Sequence, residues 1–336
     1  MTTLTKSGRI SYGVMAVALF LIAWLHLGPL VLTSLFGYFA LGKLRMGRSK
    51  HFAATLYIVA VVTLGYLSVH FAHQASVAVP KIANQTIPAV VEYAERHGFE
   101  LPFTDYASAK TEVLAAARES WANVGNYLRN ALFAFAQLII GLVLALSMFL
   151  SGKWGMELEP GTAHDSLYAS VVRELVMRFR TFYASFSRVI GAQITISAIN
   201  TVATAGFLFW CGFPYKAVLI GATFLCGLLP IIGNLISNTL ILGVAFTMPE
   251  GPKMALFSLI FLVVIHKLEY FLNSKIIGDR IRNPMWLTLI GLVLGEKLMG
   301  LPGMILAPVV LHYIKVEASR SRLSENHRES SPNPIV

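Results

Sequence analysis

Charge is scarce in this chain. Only 13% of its 336 residues are Asp, Glu, Lys or Arg, against about a quarter in an ordinary soluble protein, so a conventional water-facing surface cannot be assembled from it. Disorder is excluded as well, because it needs low hydrophobicity and 56% of these residues are apolar. Cysteine is almost missing: Cys211 and Cys226 lie in or beside apolar segments, and no Cys/His spacing has the form of a zinc site. Enzyme signatures are lacking too, with no HExxH, GxSxG, GxxxxGK[ST] or strand-flanked GxGxxG. This disfavours an intramembrane protease or an ATP-driven pump subunit and gives no reason to expect a cofactor or metal. The net charge of +10 arises from short basic clusters between apolar runs, not from one soluble basic face, so nucleic acid is not the expected partner.

What the chain has is apolar length. A hydrocarbon core about 30 Å thick takes roughly 20 apolar residues per helical span, and the mean hydropathy of +0.65 comes from several such runs. The expectation is an all-α, polytopic membrane protein with about eight membrane segments. Lys6 and Arg9 precede the first run as in a signal peptide, but that run continues well past an ordinary h-region. Residues 1–71 read as a helical pair, Tyr12 to Leu41, broken at His26 to Pro29, followed by a third span from Ala53 to Phe71. Residues 72–130 read as an extracytoplasmic insert with a helix start at Thr86 and Pro88, a stop at Gly98, and a later amphipathic stripe on Val113, Ala117, Trp121, Val124 and Leu128. A fourth span fills 131–150. Segment 151–187 is expected to be cytoplasmic and amphipathic, with Arg173, Arg178 and Arg180 alternating with Leu175, Val176, Phe179 and Phe182. Residues 188–315 read as a transport core, and 316–336 as a disordered cytoplasmic tail.

Sidedness follows from Lys and Arg, which accumulate in cytoplasmic loops. Placing both termini, 42–52, 151–188 and 273–283 inside puts 18 of the 27 basic residues there. Block 217–246 then enters and leaves on the outer face and must be a hairpin, broken by Pro230 and Gly233. Block 284–314 enters and leaves on the inner face, with Gly295, Gly300, Pro302 and Gly303 at its turn. Two oppositely oriented helical hairpins, each following a span, form the inverted arrangement associated with alternating access.

Polar groups inside these segments are the candidate pathway residues, because an ionisable side chain in a bilayer costs about 2.5–3.5 kcal/mol on insertion scales. Glu296 and Lys297 fall at the tip of the last hairpin, and Glu296 is the leading proton or cation ligand on sequence grounds. His266, Glu269 and Asn273 share one helical face, which either lines a pathway or packs near the cytoplasmic interface. The fifth span offers Gln193 and Asn200 among Thr195, Ser197, Thr201 and Thr204, residues equally suited to helix packing. Asn234 and Asn238 follow the Pro230 break, where unwound backbone frees carbonyls. Hairpins 217–246 and 284–314 are expected to meet near the midplane.

Four motifs carry a family resemblance: Gly212-Phe213-Pro214-Tyr215, Leu229-Pro230-Ile231-Ile232-Gly233, Lys275-Ile276-Ile277-Gly278, and Gly300-Leu301-Pro302-Gly303-Met304-Ile305-Leu306-Ala307-Pro308. In order and spacing the chain resembles the autoinducer-2 exporter family of permeases over about 185–315, and more loosely elsewhere. The resemblance implies a multi-pass, homo-oligomeric permease of a bacterial plasma membrane. Members are assigned to export of a small furanosyl signalling molecule or to sodium/proton exchange. Leu240 and Asn273-Ser274 stand where members often have Pro and Glu-Pro, and Glu296 and Lys297 where many have small or apolar residues. The expected partners are the lipid bilayer and a small polar solute or ion. A sodium/proton antiporter and a non-transporting membrane scaffold are the alternatives.

Overall fold

The computed structural model describes residues 5–98, 124–151, 166–229, 232–277 and 284–329. Ten helices account for nearly all of them: α1 Lys6–Trp24, α2 Gly28–Leu44, α3 Lys50–Arg96, α4 Val124–Ser151, α5 Leu167–Trp210, α6 Lys216–Gly227, α7 Ile232–Phe246, α8 Gly251–Ile277, α9 Met285–Met299 and α10 Leu301–Glu329. No strand occurs among the described residues. Six of the helices, α1, α3, α4, α5, α8 and α10, contain stretches long and apolar enough to cross a membrane. The protein is an all-helical, multi-pass membrane protein.

The first break lies where the sequence places it. The Thr5 hydroxyl caps α1 by accepting from the Gly8 N–H at 3.1 Å. The helix ends at Trp24, His26 takes a positive φ of 52°, and Pro29 sits in the first turn of α2, where its missing N–H costs nothing.

Three expected boundaries are absent. Helix α3 runs without interruption through Pro80 and Pro88, so Thr86 and Pro88 lie inside a helix and do not start one. Ala78, Ile82 and Ala94 are buried along this stretch, and burial at helical spacing outweighs the one backbone hydrogen bond that each proline removes. Gly98 ends the turn that follows α3 with a φ of +69°, as its sequence position suggests. Helix α5 likewise absorbs both the Arg-rich segment and the fifth span. Val172, Val176, Phe186, Ile190 and Ile196 keep its buried side going, and no proline intervenes. Helix α10 continues through 316–329, although the composition there pointed to disorder. Most of the stripe from Val113 to Leu128 lies outside the described residues.

The chain divides into two compact units. The first comprises 1–59, 134–191 and 277–336, and the second 60–133 and 192–276. Leu41, Phe186 and Val309 are fully buried in the first, where Phe36 meets Phe186 edge to face with ring centroids 5.3 Å apart. Close backbone contact holds its hairpin α9–α10: a Cβ added at Gly303 would lie 1.9 Å from the Gly295 carbonyl oxygen. The second unit buries Ala78, Ile82, Phe207, Leu208, Phe213, Leu219, Ile241, Val244, Ala255 and Leu262 together. Phe207 and Phe261 stack there at 4.0 Å.

Candidate functional site

Within the second unit the polar residues converge on the break between α6 and α7. With 12 and 15 residues these helices extend about 18 and 23 Å, each short of a hydrocarbon core. They pack along one another as a hairpin. The approach is very close at the turn, where a Cβ on Gly233 would fall 1.6 Å from the Cys226 carbonyl oxygen; only glycine fits.

Breaking a helix leaves carbonyls at the end of α6 without intrahelical partners. Two side chains of α5 answer them. Gln193 Nε2 donates to the Gly227 carbonyl at 2.6 Å, and Ser197 Oγ donates to that of Phe224 at 2.8 Å. Ser197 packs so tightly that a Cβ on Gly227 would lie 2.5 Å from its hydroxyl. One turn further on, Asn200 Nδ2 donates to Glu269 Oε2 at 3.4 Å. From the first turn of α7, Asn234 Nδ2 donates to the same oxygen at 2.5 Å.

Glu269 is the centre of this arrangement. Its side chain is 14% exposed, with His266 Nδ1 3.8 Å away on the side open to the surroundings. Asn200 is 5% exposed, and its Oδ1 is buried without a hydrogen-bond partner among the described residues. A buried amide oxygen without a partner costs roughly 1–3 kcal/mol, so Asn200 is an acceptor as well as a donor at this carboxylate. Asn200 also stands ten residues before the end of α5, about 15 Å of helix, which is half a hydrocarbon thickness.

The remaining sequence candidates fall elsewhere. Asn238 is half-buried one turn beyond Asn234 on α7. Pro230 lies outside the described residues, as does the side chain of Asn273 on α8. Glu296, Lys297, Gly300 and Gly303 belong to the first unit. There Glu296 and Lys297 are 50% and 77% exposed and only 3.7 Å apart, partners for each other near the end of α9. Gly300 closes that helix with a φ of +64°.

Sequence reading overlooked two polar groups of the first unit. Arg178, 7% exposed, bridges Glu174 at 3.0 Å and Glu317 at 3.1 Å. Its Nε donates to Ser11 Oγ at 2.8 Å, its guanidinium lies 3.4 Å over the Tyr12 ring, and the Tyr12 hydroxyl donates to Glu317. Gln137, on α4, spans the α1–α2 break: its Nε2 donates to the His26 carbonyl at 3.2 Å and its Oε1 accepts from the Leu30 N–H at 3.3 Å. The Glu174/Arg178 spacing of four was legible as a pair; the partners on α1 and α10 were not.

Spanning helices, a broken hairpin and a buried carboxylate at the break define a membrane transporter. Comparison with known proteins makes this specific. The model of the AI-2E family transporter matches residues 10–320, and the chain belongs to that family. It is 23% identical over 254 residues to the "Putative transport protein YdbI" of Bacillus subtilis (strain 168), covering 74% of this chain and 72% of that protein.

Proposed function

We propose that the protein is a secondary permease whose solute or coupling ion is held at Glu269, Asn200 and Asn234, beside the α6–α7 break. The observation that carries this is the nearly buried Glu269 carboxylate, which two amides address while the Asn200 Oδ1 remains unpaired. Acceptors arranged in this way suit a small solute rich in hydroxyl or ammonium donors. A polyhydroxylated signalling molecule of the kind implied by the family resemblance has that chemistry. We place the protein in a bacterial plasma membrane as a homo-oligomer, following the family resemblance, with both termini cytoplasmic on the strength of its basic loops.

Sodium/proton exchange is the second reading, favoured by the same carboxylate, which can carry a proton or a cation in turn. Glu269, not Glu296, is the residue at which both readings act, because Glu296 is exposed and answered by Lys297. The test is flux in proteoliposomes. Efflux of a hydroxylated solute that falls tenfold or more in Glu269→Gln and persists in Glu296→Gln supports solute transport. A sodium-dependent proton signal with the same pattern supports exchange. Equal loss in both variants, or loss in Glu296→Gln alone, refutes the assignment to Glu269.

A further inference from the structure

The second unit carries a groove that the transport site does not use. It encloses about 410 Å³ and is lined by His73, Gln74, Val77, Ala78 and Lys81 of α3, with Tyr215 and residues 216–218 at the start of α6. Val77, Ala78, Ala217 and Val218 make its lining largely apolar. Lys81 and Lys216 both reach it, and no carboxylate lines it among the described residues. Neither lysine takes part in an ion pair among the described residues, although Lys216 Nζ lies 5.6 Å from the Phe209 ring centroid.

Its surroundings are those of a membrane interface. Trp210 and Phe209 close α5 with 79% and 65% exposure, and aromatic side chains collect where hydrocarbon meets headgroup. Val77, 48% exposed, lies one turn before Lys81 on the same side of α3. Within the groove, apolar Val77 and Ala78 stand one turn from the cation of Lys81, a juxtaposition that matches the apolar chain and the phosphate of a phospholipid. Tyr215 takes a left-handed φ of 55°, and its hydroxyl meets Gln85 at 3.4 Å, which sets the neighbouring Lys216 at the groove.

We propose that this groove binds the headgroup of an anionic phospholipid. The phosphate lies between Lys81 and Lys216, Gln74 and Tyr215 address the glycerol hydroxyls, and the upper methylenes rest on Val77, Ala78 and Val218. Anionic headgroups gain from each nearby basic side chain, whereas a zwitterionic headgroup brings its own cation into the pocket.

Native mass spectrometry of the full chain tests this, using vesicles of phosphatidylglycerol or of phosphatidylcholine with the same acyl chains as the lipid source. The expected result is retention of phosphatidylglycerol about tenfold over phosphatidylcholine, lost in K81Q/K216Q and kept in K81R/K216R. K253Q, which removes the exposed partner of Glu250, is expected to leave the preference intact. Equal retention of the two lipids overturns the proposal, as does a preference that survives K81Q/K216Q. Displacement by inorganic phosphate alone also overturns it, by assigning the groove to a free anion. An unchanged elution profile for K81Q/K216Q ensures that the readout is binding and not misfolding.

Discussion

Asn200 and Glu269 are sixty-nine residues apart in the chain, and each is unremarkable alone. An asparagine in an apolar helix reads as packing, and a glutamate three residues after a histidine reads as an interfacial pair. Only their meeting makes a candidate site. Arg178 shows the same at another place. Counted as one of the basic residues that orient the chain, it turns out to be nearly buried among Glu174, Glu317, Ser11 and Tyr12. Removing one partner from a buried ion pair strands the other charge at a cost of about 3–5 kcal/mol. Arg178→Ala is therefore expected to lower thermal stability by that amount, measured by melting of the detergent-solubilised protein. Arg178→Lys should recover only part, because a lysine cannot address two carboxylates and a hydroxyl in a fixed fork. A melting temperature unchanged in Arg178→Ala would show that the network adds nothing.

Helix breaks were readable where glycine and proline are required by backbone geometry. The turn at His26 to Pro29, the interruption within 217–246 and the end of α9 at Gly300 all fall at the expected places. Proline misled where packing overrode it, as in α3, which passes through Pro80 and Pro88. Glycines separate in the same way. At Gly303 a Cβ would collide with the Gly295 carbonyl oxygen at 1.9 Å, whereas nothing lies within 4 Å of a Cβ at Gly206. Gly303→Ala is expected to destabilise by about 1–3 kcal/mol through overpacking. Gly206→Ala, in the exposed interior of α5, is expected to stabilise by up to about 1 kcal/mol. Comparable melting shifts in the two would mean that the α9–α10 contact is not tight.

At the scale of the molecule, the proposed site draws its side chains from α5, α7 and α8 within the second unit. The α6–α7 pair carries a topological consequence that labelling can check. A hairpin too short to cross returns its chain to the face it left, so Lys216→Cys and Glu250→Cys should react with an impermeant maleimide from the same side. The background for this is Cys211→Ser/Cys226→Ser, since both cysteines are reduced. Reaction of the two positions from opposite sides would make 217–246 a single kinked span. The solute pathway would then need another entrance.

The sequence alone determined the solvent of this protein, the positions of its apolar runs, and the breaks at His26 to Pro29, within 217–246 and at Gly300, but not how far α3 and α5 continue beyond their apolar stretches. These depend on the local balance of transfer energy and backbone freedom, which composition and order within twenty residues fix. It also determined the inventory of polar side chains from which a site could be chosen. What only the tertiary structure decided was the choice: Glu269 joined to Asn200 and Asn234, Glu296 left beside Lys297, and Arg178 drawn into a buried network. The energy of a buried polar group depends on the partner facing it from another helix, and that partner is set by packing, not by neighbours in the chain.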